Sequence, residues 1–152
     1  MLAIGIISLA LSITATVISY IVYRRTRAVT TYSNIDRLYF DLLNRGMEYP
    51  EFVNPVYTQD YERQFADDQK IRYELYAFNA WNICETIFDY RKNKGVLESW
   101  KPVLDNENFL HRRWFDQPAN RRKFKASFID YINNRADKAG RKMFPRLYEI
   151  LK

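Results

Sequence analysis

"DDQKIRYELYAFNAWNICETIFDYRKNKG", residues 67–95, decides the fold, because its apolar residues recur at the spacing of a long helix. Two adjacent apolar stripes, with alternating spacings of four and three, cover about half of the helix surface. In the first turns, Ile71, Leu75 and Phe78 extend over much of the other side. A helix that is apolar nearly all round is a central one, so we expect it to be the hub of a bundle. The two stripes are Tyr76, Ala80, Ile83, Ile87 and Tyr90, and Ala77, Trp81, Cys84 and Phe88.

The chain before the central helix predicts one more helix and a loop. Ser33 and Asp36 have the spacing of a capping box, and Gly46 suits a helix end. Between them, apolar residues repeat at i, i+3, i+4 and i+7, which predicts one apolar face. The stretch 47–65 contains two prolines and predicts an ordered loop with a short helix near 59–65. The apolar face comprises Ile35, Leu38, Tyr39 and Leu42.

The chain after the central helix predicts further short helices. Gly95 is the predicted end of the central helix, and the next helix is expected to break or kink near Pro102 and to resume from about Asn106. The following helix is expected to end at Gly140, and a last one to cover 144–151. Four glycines and five prolines are few for a β fold. The predicted fold is therefore all-α, an N-terminal transmembrane helix followed by a small irregular helical bundle. The inward side chains of the helix before Gly140 are Phe124, Phe128, Tyr131 and Ile132.

An apolar stretch without charge runs from Leu2 to Tyr23. At ~1.5 Å per residue it reaches roughly 33 Å, enough to cross a hydrocarbon core of ~30 Å. Positive charge follows it at Arg24, Arg25 and Arg27, and such flanks stay in the cytoplasm. A cleaved signal peptide carries its charge before the apolar run, and a buried helix of a soluble protein is the other alternative.

We interpret residues 1–27 as a retained signal-anchor with a basic flank, and residues 28–152 as a helical cytoplasmic domain. The predicted location is the inner cell membrane, crossed once, with the N-terminus outside. A single cysteine, Cys84, excludes a disulfide framework and fits a reducing compartment.

One face of the predicted anchor consists of small residues. Small residues let membrane helices approach closely, and their hydroxyls can bond across the contact. We therefore expect a homo-oligomer that associates through this face. The alternatives are that each hydroxyl bonds its own backbone carbonyl, or that the face lines a wet pore. The face comprises Gly5, Ser8, Ser12, Ala15, Thr16 and Ser19.

Basic residues gather in the last third of the chain. Residues 28–110 carry nine Lys or Arg against fourteen Asp or Glu, whereas residues 111–142 carry ten against three. Arginine beside aromatic residues can hold a nucleic acid, a nucleotide or an anionic lipid headgroup. The alternatives are a solvated helix face, simple orientation at the membrane, or a protein partner. The candidates are Arg112, Arg113, Trp114, Arg121, Arg122, Lys123, Lys125, Arg141 and Lys142.

The sequence predicts no catalytic, metal or cofactor site. His111 has no metal-ligand motif beside it, and Asp105 and Asn106 stand where helical RNases of the HEPN type have an arginine. We therefore interpret His111 as structural. Glu85 and Asp89 lie one turn apart and could share a metal or a proton, but we expect Glu85 to pair with an arginine of a neighbouring helix instead. Phosphate loops, nucleophile elbows and zinc-protease motifs are missing, which disfavours an enzyme.

"YAFNAWNICETIFDY" (76–90), "LESWKPVL" (97–104) and "HRRWF" (111–115) resemble uncharacterised bacterial single-pass membrane proteins with a helical cytoplasmic domain. The plan is also similar to that of the membrane accessory proteins of type VI CRISPR loci, which assemble into oligomers in the membrane. That likeness is one of architecture.

We expect a non-enzymatic membrane protein whose helical domain is an interaction module. The alternative is an oligomeric membrane effector, including one in defence, that binds a nucleic acid, nucleotide or anionic lipid through the basic last third.

Overall fold

A computed structural model describes residues 2–92 and 94–143, with side chains for residues 5–9, 11–27, 29–92 and 95–135. Every element among them is helical, which confirms the all-α prediction, and no strand occurs in this part of the chain. The α-helices are α1 (Leu2–Glu48), α2 (Pro55–Thr58), α3 (Tyr61–Gln64), α4 (Asp67–Asp89), α5 (Lys94–Phe115), α6 (Pro118–Arg121) and α7 (Ala126–Met143). Two 3-10 helices cover Pro50–Val53 and Tyr90–Lys92.

The chain forms two compact units, Met1–Asp36 and Arg37–Lys152. The first unit holds the apolar part of α1, which is long and apolar enough to cross a membrane, as predicted. None of its most apolar stretch is buried by the rest of the protein. Such a helix has no partner for its apolar surface in the described chain. The predicted boundary between residues 27 and 28 stays a prediction.

Helix α1 runs without a break from Leu2 to Glu48, so the predicted helix start at Ser33 is wrong. Ser33 lies many turns inside the helix, where the backbone N–H groups already bond to the preceding turn and need no cap. The predicted end at Gly46 is also wrong. A Cβ at Gly46 would lie 3.0 Å from Val53 Cγ1 and 3.1 Å from Tyr76 Oη. Gly46 therefore permits a close approach of neighbouring segments inside a helix.

Helix α4 is the hub of the second unit and packs against α5. Both predicted stripes are buried except Tyr90, which is 37% exposed. The first turns of α4 are not enclosed by the bundle as expected of a central helix, because Ile71 and Leu75 are 59% and 62% exposed. Tyr73 is fully buried there instead. The stripes thus identify the buried side of α4, while the start of the helix keeps one side in water.

The core of the second unit is largely aromatic. The Trp81 ring stacks on Phe115 with centroids 4.1 Å apart, and Phe128 meets Trp81 edge-on at 6.0 Å. Helix α7 packs on α5 and buries Phe128 and Ile132 completely, as its sequence predicts, while Tyr131 is half-buried. Each such side chain contributes about 1.5–3 kcal/mol through burial.

Helix α5 crosses Pro102 without ending, so the predicted break there is wrong. The departure from helical backbone is at His111, where φ is −115° and ψ is 15°. Gly95 lies in the first turn of α5, and α4 has already ended at Asp89. Gly140 is inside α7 rather than at its end. The predicted last helix, 144–151, lies outside the described residues.

Candidate functional site

A groove of about 720 Å³ opens on the second unit between the last turns of α1, the first 3-10 helix, α4 and α5. This volume lies within the range of known ligand pockets. Its lining is mostly apolar and contains one charged side chain, that of Glu107. The lining residues are Tyr39, Phe40, Leu43, Asn44, Gly46, Met47, Pro50, Val53, Tyr76, Asn106, Glu107 and Leu110.

The groove has an exposed rim and a buried floor. Phe40 and Met47 on α1 are 65% and 73% exposed, which is unusual for such large apolar side chains on one helix face. Tyr76, Glu107 and Leu110 are each 4% exposed and form the floor. The close approach at Gly46 brings α1 to this floor. A partner would therefore meet apolar side chains first and the Glu107 side chain beneath them.

The Glu107 carboxylate has incomplete hydrogen bonding. Its Oε1 accepts from Asn106 Nδ2 at 3.2 Å and from Tyr39 Oη at 3.5 Å, the outer limit for such a bond. Its Oε2 lies 3.3 Å from His111 Nε2, but it makes no aligned hydrogen bond within the described part of the chain. A buried carboxylate in this condition retains a demand for further donors or positive charge.

His111 links Glu107 to the centre of the bundle. Its ring is fully buried, as expected of a structural histidine, and its Nδ1 lies 3.1 Å from Tyr73 Oη. Its backbone carbonyl accepts a bond of 3.2 Å from Trp81 Nε1. The backbone is therefore irregular at the same residue, His111, whose carbonyl accepts a hydrogen bond from Trp81 of α4. Tyr73, His111, Glu107 and Tyr39 form one polar chain through the core.

The tyrosines of this chain are held as neutral hydrogen-bonding groups. Burial raises the pKa of Tyr39, Tyr73 and Tyr76 well above the usual value, and the negative charge of Glu107 raises the pKa of all three further. Burial likewise raises the pKa of the Cys84 thiol. A phenol or thiol with a raised pKa stays protonated at neutral pH, and in that form it neither accepts a proton nor attacks as an anion. The cluster is suited to holding a donor or a cation at Glu107 rather than to activating a side chain.

Sequence reasoning missed both Glu107 and Tyr73. Glu107 and His111 stand four residues apart, which places them on one helix face, and this spacing was the available signal. Tyr73 lies three residues before Tyr76 and continues the first apolar stripe of α4, and this periodicity was the available signal. Its partner, His111, is 38 residues away in the chain.

The predicted association face lies on the first unit. Its residues with described side chains are all exposed: Gly5, Ser8, Ser12, Ala15, Thr16 and Ser19. A Cβ at Gly5 would meet nothing within 4 Å. Thr16 Oγ1 donates to the Ser12 carbonyl at 2.9 Å, which is the backbone alternative for this hydroxyl. Arg24, Arg25 and Arg27 are exposed, and Arg24 lies 6.0 Å from the Tyr20 ring centre.

Two of the candidate basic residues converge. Arg112 Nη2 and Arg121 Nη2 both donate to Asn133 Oδ1, at 2.8 and 3.1 Å. The same two guanidinium groups flank Asp116, at 2.8 and 3.8 Å. They also lie over the Phe115 ring, 5.7 and 5.9 Å from its centre. This cluster joins α5, α6 and α7 and has one more positive than negative charge.

The other basic candidates are dispersed. Trp114 is 1% exposed, so its ring belongs to the core and lies beneath Lys123, whose Nζ is 5.2 Å from the ring centre. Arg113 lies 3.8 Å from Glu62, and Arg122 bonds the Pro118 carbonyl. Lys125 pairs with Asp89. The side chains of Arg141 and Lys142 lie outside the described residues.

The carboxylates of Glu85 and Asp89 on α4 both bind Lys125. Glu85 accepts from the Lys125 backbone N–H at 2.8 Å, and Asp89 pairs with the Lys125 side chain. Lys125, the residue before α7, therefore supplies both partners, and the expected arginine partner of Glu85 is replaced by a backbone N–H. Among the residues that the structure describes, no three His, Cys, Asp or Glu side chains gather as metal ligands would.

Comparison of the chain with models of known families, with curated proteins and with solved structures gives no match.

Proposed function

We propose that this is a non-enzymatic single-pass membrane protein whose helical domain is an interaction module, and that its copies associate through the anchor. The single observation that carries the proposal is the combination, in one short chain, of two uncovered apolar surfaces. One is the membrane-length apolar part of α1, and the other is the groove on the second unit.

In this proposal the anchor lies in the inner membrane with its N-terminus outside, and the domain lies in the cytoplasm. The basic flank at Arg24, Arg25 and Arg27 supports this orientation. The small-residue face supports association, because Ser12 and Ala15 leave room for a second helix to approach. Every interhelical hydroxyl bond would add about 0.6–2 kcal/mol.

The mass of the full-length protein in nanodiscs tests the association. The variant Ser12→Leu with Ala15→Leu fills the face and is expected to weaken association at least about tenfold, equivalent to ~1.4 kcal/mol. The matched control, Val17→Phe with Ile21→Phe, adds bulk on the opposite side of the helix and should leave the mass unchanged. A monomeric wild-type protein, or equal loss in both variants, would contradict the proposal. Turnover of a substrate by the purified protein would contradict its non-enzymatic part.

A second candidate is a membrane effector that binds an anionic ligand through the basic last third. The observation that favours it is the convergence of Arg112 and Arg121 on Asn133 Oδ1, a position where an anionic oxygen could be held by two guanidinium groups. Because Trp114 is buried, such a ligand would be held by charge rather than by stacking on that ring.

Two measurements test this candidate. One is the binding of a fluorescent oligonucleotide to the full-length protein, and the other is the preference of the protein for nanodiscs that contain phosphatidylserine. Arg121→Gln should weaken binding of the probe and reduce its salt dependence. Arg63→Gln is the control, because the Arg63 side chain is 85% exposed and lies outside the basic third. Binding that Arg121→Gln leaves intact would exclude this cluster as the site.

A further inference from the structure

We infer that the groove receives a protein segment with an apolar face and one lysine or arginine, whose charged end lies against Glu107. The inference rests on the proposed role of the helical domain as an interaction module, and it names the chemistry of the partner. It concerns the second unit alone, since every lining residue of the groove lies between Tyr39 and Leu110.

The rim of the groove indicates a protein segment rather than a small molecule. Phe40, Leu43 and Met47 follow one another at i, i+3 and i+7 on α1, and are 65%, 38% and 73% exposed. A small ligand on the floor would leave Phe40 and Met47 in water. An amphipathic segment would cover both, as in helix-in-groove recognition, where apolar anchors at this spacing meet their counterparts. Neighbouring exposed apolar side chains of this kind mark interaction sites.

The charge of the groove indicates a basic anchor. Glu107 is the one charged residue among the lining residues, and no Lys, Arg or His lines the groove with it. His111 lies behind it, with Nε2 3.3 Å from Oε2 but without an aligned hydrogen bond. The Glu107 side chain is 5% exposed, and its Oε2 makes no hydrogen bond with the described residues. A cation brought to the groove supplies the compensation that this buried carboxylate lacks.

The aromatic side chains of the groove favour the same partner. The rings of Tyr39, Phe40 and Tyr76 all line the groove. Ring faces attract lysine and arginine, and the attraction grows when water is excluded. An acidic segment would instead bring a like charge to Glu107, and residues 28–110 already carry five more negative than positive charges. Charge of this kind selects against wrong partners.

The experiment is selection from a displayed library of helical peptides of about 14 residues, or roughly four turns, on the full-length protein in nanodiscs of neutral lipid. We expect the enriched peptides to carry apolar residues at helical spacing around one Lys or Arg. Replacing that residue by norleucine in a selected peptide should weaken binding about tenfold. With Glu107→Gln protein, the two peptides should bind equally, because the charge that distinguishes them is gone.

Two rim variants keep the inference testable if Glu107→Gln does not fold. Phe40→Asp and Met47→Asp change exposed side chains and should abolish binding of the selected peptides. Ile71→Asp is the control, because Ile71 is 59% exposed on α4 and does not line the groove. Binding that survives both rim variants would overturn the groove as the site.

The outcomes separate this inference from the proposed function. Enriched peptides that are purely apolar and need Phe40 would overturn the basic anchor while keeping the groove as a docking surface. Enriched acidic peptides would overturn the charge argument directly. Failure to enrich any peptide would overturn the inference and leave anchor association to be judged by the nanodisc mass. If the wild-type protein is also monomeric, the proposed function falls as well.

Discussion

Removal of one buried hydroxyl, in Tyr73→Phe, tests the polar chain that lies behind the groove. Tyr73 is fully buried, and its Oη lies 3.1 Å from Nδ1 of His111. The phenylalanine ring fits the same space but leaves Nδ1 without this partner in the core. A buried polar atom that loses its partner costs about 1–3 kcal/mol. At neutral pH we therefore expect the free energy of unfolding to fall by about 2 kcal/mol.

Alkaline pH should reverse this difference. Burial raises the pKa of Tyr73 well above the usual value of about 10, so the folded protein keeps a proton that the unfolded chain loses. A group with a raised pKa contributes stability that is complete below its unfolded pKa and is lost as pH rises above that value. The wild-type protein should lose about 1.4 kcal/mol per pH unit at Tyr73 above pH ~10, and the variant should not. The stability advantage of the wild-type protein should therefore shrink and then invert as pH rises above ~10.

Tryptophan fluorescence during urea unfolding of the full-length protein measures this difference. All three tryptophans lie in the second unit, and Trp81, Trp100 and Trp114 are 0%, 8% and 1% exposed. Their signal therefore reports the unfolding of the bundle and not of the anchor. Tyr90→Phe is the matched control, because Tyr90 is 37% exposed and belongs to the short 3-10 helix after α4.

Two results would refute the reasoning. Equal stability of Tyr73→Phe and wild-type protein at pH 7 would mean that the bond to His111 contributes nothing. Parallel loss of stability in both proteins above pH 10 would mean that Tyr73 does not retain its proton in the folded state. A Tyr90→Phe protein that behaves like Tyr73→Phe would show that the effect is not specific to the buried chain.

Three further predictions concern single positions in the second unit. Gly46→Ala should change the free energy of unfolding by less than about 1 kcal/mol in urea unfolding, because better helix propensity offsets crowding of Val53 and Tyr76. In a Val53→Ala background the same substitution should be more favourable, because only the crowding of Tyr76 Oη remains. Asp67 has a φ of 32°, so Asp67→Gly should be about 1 kcal/mol more favourable than Asp68→Gly when the two are compared by thermal unfolding. Cys84 is buried with a raised pKa, so a thiol reagent should label it only after urea unfolds the bundle, and labelling of the folded protein would contradict its placement.

The fold is largely predictable from the sequence because its signals are local. The spacing of apolar residues on α4 identifies its buried stripes, and the charge-free run from Leu2 to Tyr23 identifies a membrane-length helix. Helix ends are less predictable. Serine, glycine and proline are typical of helix boundaries, yet Ser33, Gly46 and Pro102 all lie inside helices. At Gly46 the competing demand is close packing against Val53.

The candidate site was not predictable in the same way, since its members come from distant parts of the chain. Tyr39 and Glu107 are 68 residues apart, and Tyr73 and His111 are 38 apart. No local spacing relates them. The basic candidates are neighbours in the sequence that the fold separates. Arg112 and Arg121 meet at Asn133, whereas Trp114 lies in the core and Lys125 pairs with Asp89.

The sequence by itself determined the class of fold, the membrane-length apolar helix and the buried side of the hub helix. Each of these follows from periodicity and charge within one segment, and such patterns act over a few residues. Only the tertiary structure decided that Glu107 lies beneath an apolar groove, with His111 and Tyr73 behind it. The physical reason is that burial and incomplete hydrogen bonding are properties of side chains brought together from several helices, and no single helix contains them.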